Sequence, residues 1–266
     1  MNRNKTPLFL GAALILGIAG SLFRAKQLAF AFEADTGLLV SGNGDTAALR
    51  ILCAAGLVIC IAFGLYDFLT RNSYPAASRA AGRLLFVAGG LVLVFSTLIE
   101  VIFSGFSSVS RVIYLLFSAF AGFSVLIAAA RGGDGDYAFF RIVPAFWSCF
   151  WLVLLYRDRS PIPTVDSYVY EIIPVLLATM MFYFAAGTDF ARPRPHLVVF
   201  FCAALLFFGT VEALGQFICR IVHHMPTNNA EGTLYIVACV LCAVGAALGQ
   251  SKEERTEGIK LKSSAV

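Results

Sequence analysis

"LVVFFCAALLFFGTVEALGQF", residues 197 to 217, carries a single charged residue, Glu212, in a run of 21. Wound as an α-helix at about 1.5 Å per residue, such a run crosses the roughly 30 Å of hydrocarbon in a bilayer. A span in lipid must satisfy its own backbone hydrogen bonds, and the run lacks the ten-residue alternation of a membrane β-barrel, so a helix is the reading. The whole chain shares this character: 59% of its 266 residues are hydrophobic, 25 are Phe and only 14% are charged. A water-soluble domain carries about a quarter charged residues. The chain is therefore read as an integral membrane protein.

Taking each apolar run between charged punctuation gives eight spans: Pro7–Phe23, Leu49–Thr70, Leu84–Phe103, Val112–Ala130, Ile142–Tyr156, Val169–Gly187, Leu197–Phe217 and Gly232–Gln250. The fold class expected is all-α, a polytopic integral membrane helix bundle. Residues 1–250 form one transmembrane domain and residues 251–266 a short charged tail. The fifth span is short, and Arg141 and Arg157 at its ends extend it by snorkelling to the interface. The start, "MNRNKTPLFLGAALILGIAGSLF", has the look of a secretory signal. Its apolar stretch exceeds the usual hydrophobic region of one, and removing it would leave an odd number of spans, so it is read as the first helix.

Lys and Arg set the threading, since acids contribute little to the rule. With the N-terminus inside, thirteen of the twenty basic residues fall on the inner side and seven on the outer. Both termini are expected in the cytoplasm. The net charge of +4 and the pI near 8.7 express this bias, with no basic stripe for nucleic acid. The compact loops, the cytoplasmic tail and the lack of a glycosylation acceptor on the outer side point to a bacterial inner membrane.

The two halves echo each other, as duplicated membrane folds do. "FRAK" (23–26) answers "YRDR" (156–159), and Asp67-Phe68 answers Asp189-Phe190. Glu100 in "STLIE" answers Glu212 in "GTVE", and Tyr114 with Arg131 answers Tyr235 with Lys252 at the same spacing. Four helices per half make this a tandem 4+4 parallel repeat, with halves 1–131 and 142–252.

Glu212 lies about 22 Å along its helix from Leu197, below the outer surface and inside the hydrocarbon. A carboxylate there costs about 2.5 to 3.5 kcal/mol at mid-bilayer, less toward the interface, and faces the bundle interior. Glu212, Gln216, Cys219 and His223 fall on one narrow face, a polar stripe rising to the outer surface. Glu100 repeats the pattern with Ser96 and Ser104 a turn to either side. Glu171 lies just inside the outer end of the sixth span, where a helix dipole alone would stabilise it. Arg24, Arg111, Arg157, Arg159 and Arg220 are at the same level, available to pair with these acids and keep them charged. The candidate ligand- or proton-binding residues are Glu212, Glu100, Gln216, His223, Glu171, Arg111 and Arg157.

Other features have structural readings. All seven cysteines fall inside spans, so no exported disulfide framework is expected, and "CVLC" (239–242) reads as helix packing. Cys219 and His223 have metal-ligand spacing but lack a third ligand, and "GGDGD" (132–136) reads as an inner turn. Trp147 and Trp151 form a packing ridge beside the pocket. "QLAFAF" (27–32) reads as interfacial, followed by an outer loop with a tight turn at Gly42–Asp45. His-Glu-x-x-His, Gly-x-Ser-x-Gly and phosphate-loop signatures are missing, so the chain does not read as an enzyme, and neither a cofactor nor a metal is expected.

Two functional readings follow. One is a small-molecule or ion transporter or binding protein with an outward-facing polar vestibule around Glu212 and Glu100. The other is a non-catalytic scaffold or accessory subunit whose polar contacts hold other membrane subunits. The lipid bilayer is a partner on either reading.

Overall fold

The structure, a computed structural model, describes residues 6–33, 38–40, 42–70, 79–104, 108–131, 138–161, 165–187, 194–222 and 230–249. These form eight helices: α1 (Thr6–Phe30), α2 (Gly44–Thr70), α3 (Arg79–Ser104), α4 (Val109–Arg131), α5 (Ala138–Arg159), α6 (Val165–Ala186), α7 (Pro195–Val222) and α8 (Ala230–Gly249). Each is long and apolar enough to cross a membrane. Among the described residues, extended structure is confined to an isolated bridge between Phe32 and Leu39. The protein is an all-α, multi-pass membrane bundle.

The helices outrun the apolar runs that announced them. α1 continues seven residues past Phe23, so Arg24 and Gln27 are helical and buried, and Gln27–Phe30 is its last turn. "QLAFAF" thus begins as the end of α1 and not as a separate segment after it. α5 spans 22 residues and takes in Arg141 and Arg157. Charge marks where hydrocarbon ends, but the backbone keeps its helical hydrogen bonds into the interface. At the start of α2 the tight turn is present. Gly42 adopts the left-handed conformation at φ 80°, and the Asn43 side chain accepts from the amides of Asp45 (2.9 Å) and Thr46 (3.3 Å), capping the helix.

α7 is the central rod. Nearly every residue from Val198 to Gln216 is buried, as suits a helix that is apolar all round, and α1, α2, α6 and α8 pack on it. The most extensive neighbours are α3 with α8 and α1 with α7. These two pairs do not map onto each other under a four-on-four shift of helices, whereas α1–α2 maps onto α5–α6 and α3–α4 onto α7–α8, each pair in contact.

In lipid no hydrophobic force drives helices together, so close backbone approach through small residues holds them. The α3–α8 seam is built this way from Gly82, Gly89, Ala238, Cys242 and Gly245. Cys242, the second cysteine of "CVLC", lies against Gly89 in this seam, as the packing reading expects.

Candidate functional site

The buried acids collect at one end of the bundle, the far end from the start of α1 and the finish of α8. Each meets an arginine from a different helix.

Deepest is Glu212 on α7. Arg24 of α1 donates Nε to Glu212 Oε2 at 2.8 Å, and both side chains are only 1% exposed. A second guanidinium nitrogen lies 3.5 Å from Oε1. Arg24 also donates to the Gln27 side-chain oxygen at 2.6 Å and lies over the Tyr170 ring of α6, 4.6 Å from its centroid. Gln216, one turn after Glu212, donates its amide to the carboxylate and accepts from the Thr233 hydroxyl of α8 at 2.9 Å. This network joins α1, α6, α7 and α8. Gly215 makes room for it, because a Cβ there would lie 2.6 Å from Cγ and 2.8 Å from Cβ of Arg24. Gly215→Ala is expected to displace the arginine stem and destabilise the fold by about 1–3 kcal/mol, read as a lower midpoint in thermal melting of the purified protein.

Glu100 on α3 forms the second cluster. It accepts from Arg111 of α4 at 2.9 Å and from the Tyr235 hydroxyl of α8 at 2.8 Å. Thr97, one turn below, shares a hydrogen bond with Ser118 of α4 at 2.7 Å. The third is Glu171 on α6, which accepts from Arg159 of α5 at 3.0 Å. α6 begins at Val165, so Glu171 stands in its second turn, and its stabilising partner is the arginine. A dipole-stabilised first-turn position does not apply.

Glu100 and Glu171 share a cavity of about 400 Å³. Arg111, Arg157, Asp158 and Arg159 contribute charge to its wall. Tyr114, Trp151 and Tyr235 contribute rings, and Leu154, Leu155, Ser108 and Gly232 complete it. Trp147 stacks on Trp151 with centroids 5.4 Å apart, and both rings contact Tyr235, so the tryptophan ridge backs the cavity. Arg157 sits at the exposed rim, paired with Asp158 at 2.8 Å and donating to Ser110 at 3.2 Å.

Glu212 and Gln216 belong to the buried lock with Arg24 and do not line this cavity, whereas Glu100, Glu171, Arg111 and Arg157 do. His223 lies outside the described residues, as do Asp189 and the "GGDGD" turn. Arg24, Arg159, Tyr114 and Tyr235 are among the residues of these clusters that are absent from the candidates that sequence alone selects. Arg24 and Arg159 stand there only as available partners, and Tyr235 only as an echo of Tyr114. The signal for both tyrosines was a hydroxyl inside an apolar run at the depth of the glutamates.

No protein-family model, curated protein or solved structure matches the chain.

Proposed function

We propose that this protein binds, and as a transporter moves, a small polar molecule or ion through the cavity around Glu100, Arg111, Arg159 and Glu171. The observation that carries the reading is that two carboxylates, each 4% exposed, line one cavity at the same end of the bundle. Ionisable groups at membrane depth are costly and mark substrate or ion pathways. The charge bias of the loops supports cytoplasmic termini with the cavity mouth outside, and the compact loops support a bacterial inner membrane. The scaffold reading draws on the Arg24–Glu212 lock, which joins four helices and does not line this cavity.

A cysteine at Ser108, on the cavity wall, separates these readings. On intact cells Ser108→Cys is expected to react with a membrane-impermeant maleimide. Pools of small polar solutes that raise the melting temperature of the purified protein are expected to slow that reaction. Arg111→Gln is expected to weaken this protection at least tenfold, about 1.4 kcal/mol of binding. Labelling confined to broken cells would put the mouth inside. Absence of any protecting pool, together with loss of a co-purifying membrane protein in Arg111→Gln, would favour the scaffold.

A further inference from the structure

Resting on the ligand-site reading above, the geometry points to a zwitterion with an apolar body as the cavity's ligand. The wall presents three guanidinium groups and three carboxylates, already matched as Glu100 with Arg111, Glu171 with Arg159 and Asp158 with Arg157. An anion or a cation entering alone leaves net charge in a space whose two glutamates are almost fully buried, and unpaired charge there is strongly disfavoured. A zwitterion inserts its anionic group against guanidinium N–H donors and its cationic group against a carboxylate, so the charge count stays at zero.

The rings add to this. Trp151, Tyr114 and Tyr235 bring aromatic rings to the wall, which suit an ammonium and an apolar body, with Leu154 and Leu155 in the same lining. Tyr114 packs edge-on against Tyr235, 5.7 Å between ring centroids, and both residues line the cavity. The volume of about 400 Å³ sits at the small end of ligand sites. Zwitterions reach such a place from two sources, free solution or a lipid headgroup.

The protein's only two tryptophans, Trp147 and Trp151, report on the cavity. Purified full-length protein in detergent is titrated with L-phenylalanine, phenethylamine, 3-phenylpropionate and glycerophosphoethanolamine while tryptophan emission is read. Saturable change with L-phenylalanine, at least tenfold tighter than with the amine or the acid, supports a free zwitterion. A tighter response to glycerophosphoethanolamine, a net-neutral phosphodiester, supports the same chemistry drawn from a headgroup. Arg111→Gln, which removes one guanidinium from the wall, should weaken the preferred probe at least tenfold. Equal or tighter binding of the amine or acid overturns the inference and leaves the ligand site standing. Silence from all four probes overturns it as well. Whether the site itself then falls is read from protection of Ser108→Cys by the solute pools.

Discussion

Arg24→Met is expected to lower the melting temperature of the purified protein by on the order of 10 °C, the effect of about 3–5 kcal/mol in a chain of this size. The substitution leaves Glu212 buried, 1% exposed, without the guanidinium that neutralises it. Glu212→Gln leaves the converse, a buried guanidinium held by Gln27 and the Tyr170 ring but deprived of its paired carboxylate. Both singles are expected to be severe. The double variant Arg24→Met with Glu212→Gln buries no unpaired charge and is expected to be more stable than either single, which a double-mutant cycle in thermal melting reads directly. Singles melting within about 2 °C of wild type would show that the pair is not held as the structure has it. Because Glu212 lies outside the cavity, the double variant should retain the response of the cavity to its ligand.

The second large effect is expected at the α3–α8 seam. A Cβ at position 245 would lie 2.7 Å from the Phe86 amide nitrogen, 2.8 Å from the Gly82 carbonyl oxygen and 3.1 Å from the Phe86 Cα. These are backbone atoms of the facing helix, which no rotamer change removes. The helices must move apart, and the packing that holds them in lipid is lost over the whole seam. Gly245→Ala is expected to cost about 1–3 kcal/mol, and Gly245→Leu at or beyond the top of that range, seen as loss of monodisperse protein after extraction. Gly11→Ala is the matched control. A Cβ there meets nothing within 4 Å, so helix propensity alone acts and the variant is expected to be as stable as wild type or slightly more so. If Gly245→Leu and Gly11→Ala extract equally well, close approach of α3 and α8 is not what holds the bundle.

The cavity adjoins both, taking Glu100 and Tyr235 from α3 and α8 and Glu171, next to Tyr170 of the lock, from α6. Its glutamates are each secured by an arginine from a neighbouring helix, Glu100 by Arg111 and Glu171 by Arg159, and both open onto the same space. Glu212 is secured more deeply and opens onto none of it. Two glutamates that look equivalent in sequence, Glu100 in "STLIE" and Glu212 in "GTVE", therefore differ in what surrounds them. Tyr235 and Arg111 stand at the wall beside the first. Gln216, Arg24 and the tight passage at Gly215 enclose the second.

Composition and run length determined by themselves that the chain spans a membrane eight times as helices, because hydrocarbon admits no unsatisfied backbone and each run is long enough to cross it. They also determined that the acids share one end, since that follows from counting residues along α3, α6 and α7. The pairing of each acid, the burial of Arg24 and the division between a lock and a cavity were decided only by tertiary structure. Helical periodicity places a residue on a face and at a depth, but it carries no record of which neighbour that face meets. Arg24 shows the gap. An arginine just past an apolar run has the same local signature whether it snorkels to water or turns inward, and it turns inward here because Gly215 of α7 leaves space for its stem and Glu212 offers the counter-charge.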